Sequence, residues 1–287
     1  VYYVRSVTDN EFIKNIFKKN KINIVFHAAA YKHVNMMELN PKSAVYNNVL
    51  GTKVMVDNSI DYKVQKFIMI STDKAVNPTN VMGASKRICE LYLSSKLVDN
   101  KQNISLISTR FGNVLGSNGS VVPIFSRQIN SGGPIKITHP DIVRYFMTIS
   151  EATQLVLEAC AMSEGGEVYI FDMGKPVKIL DLAKNMIIQS GLKPNVDINI
   201  EFTGLRPGEK LFEEILVETE DLEKTHNKLI YIAKKERVDL ENIQNIQNLI
   251  NYCMSNNEDE FELVKIMKKI VPEFKSKNSE FQILDDV

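Results

Sequence analysis

The sequence predicts an α/β protein built on a doubly wound parallel sheet. Three observations carry that reading. Short apolar runs at Ile22–Ala30, Phe67–Ser71 and Ile104–Arg110 have the character of strands buried on both faces of a parallel sheet. Between them lie helical patterns of roughly 10 to 20 residues, the alternation expected of βαβ units. Hydrophobic residues make up 44% of the 287-residue chain, which is enough for a large core and too many for a disordered segment.

The elements follow in order. Ile22–Ala30 is the first strand, and it ends in small residues that let a backbone or ligand come close. A helix follows over Pro41–Ile60. The Phe67–Ser71 strand leads to Asn77-Pro78 and Asn80, a turn and a helix start. After Ile104–Arg110 the texture changes. Gly116, Gly119, Gly132, Gly133 and Pro134 punctuate a loop-rich region that holds a helix over Val121–Ser131. Ser150–Met162 reads as a helix, and Glu167–Asp172 as a strand returning to the main sheet. A helix over Val177–Ser190 and a strand over Val196–Phe202 lead into the turn Gly204-Leu205-Arg206-Pro207-Gly208-Glu209-Lys210. Helices near Leu211–Val217, Leu240–Met254 and Glu260–Ile270 read as peripheral, and the polar tail after Lys275 as mobile.

Composition removes several function classes. Lysine plus arginine and aspartate plus glutamate both number 35, so there is no electrostatic footprint for nucleic acid. Cys89, Cys160 and Cys253 are far apart and form no C-x-x-C pair, the pattern of reduced cysteines in a cytoplasmic protein. His27, His33, His139 and His226 show no zinc spacing, so no metal is expected. No apolar run approaches the roughly 20 residues of a membrane span, and no signal peptide is visible.

The chain is organised around Lys66–Arg87. Its apolar strand stops abruptly at Ser71-Thr72-Asp73-Lys74, and ligands of open α/β sheets bind beyond the carboxyl ends of strands. Met82 and Lys86 follow one helical turn apart on one face. Taken alone, Thr72-Asp73-Lys74 would read as a solvated loop with a helix cap. A dinucleotide-binding fold should also open with a strand and a Gly-rich turn. Here the first glycine is Gly51, inside a helix pattern. Either the fold is another one, or the chain starts after its first βαβ unit.

A set of matching blocks favours the second alternative. His27-Ala28-Ala29-Ala30-Tyr31-Lys32-His33-Val34, Glu38, Asn48-Val49-Leu50-Gly51-Thr52 and Ser71 to Pro78 resemble the extended short-chain dehydrogenases. More narrowly, the chain resembles the polysaccharide biosynthesis (CapD-like) family of UDP-N-acetylglucosamine 4,6-dehydratases. Arg110 to Ser117, Gly119 to Pro123, Thr138-His139-Pro140, Arg144 to Met147 and Leu205 to Lys210 extend the match. The resemblance implies a Rossmann-like sheet lacking its first βαβ unit, with a smaller C-terminal substrate-binding α/β domain. The corresponding boundaries are 1–115 and 146–175 for the incomplete NAD(P)-binding domain, 116–145 and 176–275 for the nucleotide-sugar domain, and 276–287 for a flexible tail. Arg5-Ser6 stand where the family has Gly-Asp.

The reaction implied by this resemblance oxidises C4 of UDP-N-acetylglucosamine, eliminates water across C5 and C6, and returns the hydride to C6. The product would be a UDP-4-keto-6-deoxy-N-acetylhexosamine for surface polysaccharide or glycan biosynthesis. By the same resemblance Asp73 is the acid and Lys74 the C5 base, with Thr72 near the C4 oxygen. Lys74 would need a lowered pKa, which burial and a nearby cation can supply. Met82 stands where most relatives have the tyrosine of Tyr-x-x-x-Lys, and it offers only a weak sulfur acceptor. The reading that follows is that Asp73 also takes the C4 proton. Lys86 would bond the nicotinamide ribose. Ala28, Ala29, Ala30, Lys32, Asn48 and Ser71 would adjoin the cofactor, NAD with NADP as the alternative. Asn48 also reads as a bridge between backbone groups. Glu38, Asn113, Ser120, Val121, Arg144, Arg206 and Glu209 would line the UDP-sugar site, where arginine forks suit a diphosphate. A homo-oligomer is expected, cytoplasmic, or on the cytoplasmic face of the inner membrane if a full-length anchor exists. Two rivals stay open. One is a UDP-sugar 4-epimerase, which does not need the Asp-Lys pair. The other is a non-catalytic UDP-sugar-binding remnant, favoured by the absent Gly-rich turn.

Overall fold

The computed structural model describes residues 1–98, 104–214, 222–233 and 240–285. Helix α1 (Asn10–Lys19) precedes β1 (Ile24–His27). The helical run α2 (Val34–Glu38), α3 (Pro41–Ala44), a π-helical turn (Val45–Leu50) and α4 (Gly51–Asp61) leads to β2 (Lys66–Ile70). A short 3-10 turn, Asp73–Ala75, separates β2 from α5 (Val81–Val98), and β3 is Ser105–Arg110. Next come β4 (Asn113–Val114), α6 (Val121–Asn130), β5 (Ile135–Ile137), β6 (Val143–Arg144), β7 (Phe146–Met147), α7 (Ile149–Met162) and β8 (Val168–Phe171). The remainder is β9 (Val177–Lys178), α8 (Ile179–Gln189), β10 (Ile200–Phe202), β11 (Leu222–Lys224), β12 (Ile230–Ala233), α9 (Leu240–Met254) and α10 (Glu260–Ile270).

The main sheet has six strands in the order β1-β2-β3-β8-β12-β11. Pairing from β1 to β8 is parallel, and β12 and β11 continue the sheet antiparallel. The predicted doubly wound α/β architecture is therefore present, with β8 returning beside β3. The period of two along each strand explains why both faces are covered. Phe67, Met69 and Leu106 face a core shared with α4, α5, α9 and α10. Ile68 and Ile107 face the opposite core, filled by Ala152, Leu155, Val156 and Ala159 of α7. A separate apolar cluster joins α6, α8, β5 and β10 through Phe125, Ile135, Ile179 and Ile198.

Several expectations are corrected. The predicted Pro41–Ile60 helix is interrupted by its π turn. The Val177–Ser190 helix yields its first two residues to β9, which pairs with β6. Within the predicted Leu211–Val217 helix, residues 211–214 are not helical and the rest lie outside the described residues. Helices α9 and α10 are not peripheral, because Leu249, Ile250, Val264 and Met267 are fully buried in the main core. The tail read as mobile is packed through residue 285. Phe281 is fully buried, and Lys268 holds Asp285 Oδ1 at 2.5 Å and Ser276 Oγ at 2.9 Å. Backbone bonds Lys275 N–Pro78 O, Lys277 N–Thr79 O and Gly208 N–Lys277 O thread this segment between the start of α5 and the Gly208 turn. One buried aromatic anchor, with Lys275, Ser276, Ser279 and Asp285 bonded around it, orders a segment whose composition looks solvated.

If the segment is packed, Phe281→Ala should cost about 3–5 kcal/mol, the range for emptying a buried phenylalanine site. The measurement is the urea midpoint at constant slope. A mobile tail would leave that midpoint unmoved.

Candidate active site

The loops after β1, β2 and β3 meet at the carboxyl ends of their strands around a cleft of about 440 Å³. Its walls include Ala28, Ala30, Lys32, Ser71, Thr72, Lys74, Met82, Lys86, Asn113, Ser120, Val121 and Arg144. A second chamber of about 450 Å³ shares Lys74 and Arg144 with the first and adds Arg206 and Glu209. Most of the predicted site residues thus converge from distant parts of the chain.

The centre is the 3-10 turn after β2. Asp73 is fully buried, fastened by its amide to Phe111 O at 3.2 Å. Its Oδ1 accepts from Thr72 Oγ1 at 2.8 Å and Lys74 Nζ at 3.0 Å. Its Oδ2 is buried with no hydrogen-bond partner among the described residues. An orphaned carboxylate oxygen is costly, and Asp73 itself lines neither chamber, whereas its neighbours Thr72 and Lys74 line the first. Two glycines allow the turn to lie so deep. A Cβ at Gly83 would meet the Lys74 carbonyl oxygen at 2.1 Å, and one at Gly112 would lie 3.2 Å from Asp73 Oδ2. Asn80 starts α5 by accepting from Gly83 N at 2.7 Å.

Lys74 Nζ also lies 3.5 Å from Glu213 Oε1, a residue the sequence reading did not single out. Burial alone would lower the Lys74 pKa, but the carboxylates of Asp73 and Glu213 outweigh burial and raise it. The lowered value expected from the sequence is therefore not found. Arg144 Nε is 3.5 Å from the same Glu213 oxygen, and its Nη2 is 3.4 Å from Glu209 Oε1.

Lys86 behaves in the opposite way. Its pKa is lowered by burial, with Cys89 and Glu90 opposing, and no hydrogen bond of its amine is found among the described residues. Lys86 lines the cleft together with Met82, Ala28 and Ala30. His27 sits behind it, neutral, its pKa lowered to about 3 by burial and then by the Lys86 charge. Its Nε2 is 3.0 Å from Thr52 Oγ1, which ties β1 to α4.

The floor rests on a buried ion pair. Glu90 of α5 accepts from Arg110 at the end of β3 through both oxygens, Nε to Oε1 at 2.9 Å and Nη2 to Oε2 at 2.7 Å. Ser71 Oγ adds a third bond at 2.7 Å, and Arg87 Nη1 lies 3.3 Å from Oε2. Burial would raise the Glu90 pKa, but Arg110 and then Arg87 pull it down to about 2. Nothing in the spacing of Glu90 and Arg110 announced this pair, because its partners belong to separate elements.

Other predicted residues divide into cleft and scaffold. Asn48 lies on the π turn. It accepts from Tyr31 N at 2.7 Å and donates to Tyr31 O at 3.1 Å and Ser85 Oγ at 2.9 Å, so it holds the loop after β1 against α5. Ser71 lines the cleft, although its hydroxyl is committed to Glu90. Ala29 does not line either chamber, whereas Ala28 and Ala30 do. Glu38, expected at the substrate, is not there. It is buried, accepting from Val81 N at the start of α5 (2.5 Å) and from Ser279 Oγ (2.6 Å). Lys32 Nζ reaches Ser117 Oγ at 3.4 Å. Ser120 Oγ, at the N-cap of α6, is buried with no hydrogen-bond partner among the described residues. Glu209 accepts from Thr138 Oγ1 and Arg206 N, so it braces the turn that exposes Arg206. Among the described residues no cluster of metal-ligating side chains occurs, and no helix is long and apolar enough to cross a membrane.

Comparison with known proteins gives this site its relatives. The family model described as "polysaccharide biosynthesis protein" matches residues 1–235. The capsular polysaccharide biosynthesis protein CapD of Staphylococcus aureus is 49% identical over 266 residues, 93% of this chain and 43% of CapD. The chain thus spans less than half the length of that relative. A UDP-glucose 4-epimerase of Rickettsia rickettsii is 38% identical over 205 residues, 71% of this chain and 58% of the epimerase. Among solved structures, Pen from Bacillus thuringiensis aligns with a TM-score of 0.75 at 33% identity, covering 83% of this chain and 76% of Pen.

Two outcomes are expected from the scaffold. Glu90→Gln should destabilise the fold by about 3–5 kcal/mol at neutral pH, the range for breaking a buried pair. Because the Glu90 pKa is lowered on folding, its contribution is present above about 4.5 and is lost as pH falls through about 2. The gap between wild type and variant, read by denaturant unfolding, should close across that window. Gly83→Ala should push the Lys74 carbonyl away and destabilise the fold by more than Ala84→Gly, one residue along the same helix, which should cost about 1 kcal/mol; denaturant unfolding reads both.

Proposed function

The chain belongs to the polysaccharide biosynthesis protein family, and from that membership and the cleft geometry we propose that it is a nucleotide-sugar 4,6-dehydratase acting on UDP-N-acetylglucosamine. The observation that carries the reading is the Asp73-Lys74 turn. A fully buried carboxylate with one oxygen unpartnered sits beside an amine that lines the cleft. A 4-epimerase, the activity named for one relative, moves hydride at C4 alone and has no use for an acid–base pair aimed at C5 and C6.

Lys86, Ala28, Ala30 and Lys32 would hold a nicotinamide dinucleotide, NAD or NADP, which when bound supplies a reversible hydride acceptor. Thr72, already bonded to Asp73 Oδ1, orients the C4 hydroxyl, and Asp73 takes its proton. With C4 a ketone, the C5 proton is acidic enough for Lys74 to remove. Asp73 then returns its proton to the C6 oxygen, which leaves as water. Lys74 then returns its proton to C5. Protons balance without any exchange with solvent: one leaves C4 and departs in the water, and one leaves C5 and comes back. Met82 takes no proton in this scheme. Arg144, Arg206, Ser120 and Asn113 would hold the UDP moiety in the second chamber and its junction with the first.

The test is incubation of UDP-N-acetylglucosamine and NAD with this chain, and with the same chain extended N-terminally by the corresponding segment of CapD, followed by mass spectrometry. Loss of one water is the expected result. It should fall by at least about 100-fold in Asp73→Asn, the lower range for a general acid–base group. An unchanged mass with a second, separable sugar would replace the dehydratase reading by the epimerase.

A further inference from the structure

Arg206 is exposed at the second chamber, and among the described residues its guanidinium has no hydrogen bond or ion pair. Only its backbone is fastened, the amide donating to Glu209 Oε2 and the carbonyl accepting from Glu209 N, both at 3.0 Å. Where this guanidinium can meet a ligand is therefore set by the turn that carries it. The turn is pinned at Gly208. Its carbonyl accepts from Thr79 Oγ1 at 2.9 Å and Asn80 Nδ2 at 3.0 Å, both at the start of α5. Its amide donates to Lys277 O at 2.7 Å, in a segment that lies beyond the family match ending at residue 235. The fit is tight, since a Cβ on Gly208 would stand 2.4 Å from Asn80 Cβ and 3.1 Å from Val34 Cγ1.

The C-terminal segment has its own fastening. Lys275 N and Lys277 N reach Pro78 O at 3.0 Å and Thr79 O at 3.2 Å, bonds that do not depend on the side chains present. Ser279 adds a bond that does. Its Oγ donates to Glu38 Oε2 at 2.6 Å, while Glu38 Oε1 accepts from Val81 N in the first turn of α5. One buried carboxylate so joins the two supports of Gly208, the start of α5 and the C-terminal segment, at a single point.

We propose that Ser279 is a positioning residue for the nucleotide sugar. Bonded to Glu38, it holds residues 275–279 against Gly208 and so fixes where Arg206 meets the diphosphate. The inference rests on the reading that the second chamber takes the UDP moiety, and not on which reaction follows. Ser279 lines neither chamber, so it acts on binding and leaves the chemical steps at the Asp73-Lys74 turn alone. Coupling of this kind is reciprocal: if the Ser279–Glu38 bond tightens the hold on UDP, bound UDP steadies the segment that carries Ser279.

The first readout is UDP affinity by titration calorimetry, which needs no turnover. Ser279→Ala should weaken UDP by at least about 5-fold, the low end for coupling between two sites. Ser279→Thr keeps the hydroxyl and should restore the affinity. Val64→Ala, in the main core and away from both chambers, should lower the urea midpoint and leave UDP affinity unchanged. The second readout is amide hydrogen exchange by mass spectrometry. Saturating UDP should slow exchange across residues 275–279 in wild type, and less so in Ser279→Ala. In turnover, Ser279→Ala should raise KM and leave kcat in place. The inference is overturned if Ser279→Ala binds UDP like wild type, if Val64→Ala weakens UDP as much, if exchange across 275–279 ignores UDP, or if the chain binds no UDP. Should Ser279→Ala not fold, the wild-type exchange decides. Affinity and exchange that respond as expected, with no water lost from UDP-N-acetylglucosamine, would sink the dehydratase reading and leave the role of Ser279 standing.

Discussion

Everything at the cleft depends on one carboxylate that never touches it. Glu90 lies on the side of α5 that faces the sheet, and it gathers the end of β2 through Ser71 and the end of β3 through Arg110. A buried pair of this kind gains little net free energy over an apolar substitute, because desolvation offsets much of the attraction. Its effect is geometric. The two strands that carry the Asp73 turn and the Phe111 loop are locked to the helix that carries Met82 and Lys86. Any sliding of α5 along the sheet would strand a charge in the core. A fixed register between these elements allows side chains from three loops to converge on one small volume.

The cleft then separates two lysines by environment alone. Lys74 is held between carboxylates that raise its pKa; Lys86 is buried, with no carboxylate in hydrogen-bond reach among the described residues, and its pKa is lowered. Both are reached from the same helix–turn unit, twelve positions apart by their numbers. Sequence spacing could place both amines at the cleft but could not assign their opposite tendencies, because one of the two carboxylates that raise Lys74, Glu213, comes from a distant part of the chain.

What the sequence made legible was whatever is local or periodic. The buried strands announced themselves by unbroken apolar runs, α5 by Asn80 at its cap, α7 by its amphipathic pattern, and the Asp73-Lys74 turn by its abrupt polarity. The hidden features are those set by partners distant in the chain. Glu38 was expected at the substrate on resemblance alone, yet it is used 241 positions away by Ser279. Helices α9 and α10 looked peripheral because their polar faces dominate the composition, although the narrow apolar stripe of each fills the main core. The π turn at Val45–Leu50 carries no marker in its residues. It is visible only as the extra width that brings Asn48 against Tyr31.

The threading of the segment after Lys275 between Pro78-Thr79 and Gly208 has a consequence for the second chamber. The turn that carries Arg206, Glu209 and Glu213 forms one wall of the second chamber, and it is bonded to the start of α5 partly through this segment. A substitution between Lys275 and Lys277, far in sequence from the cleft, would therefore be felt at the wall that presents Arg206 and Glu209.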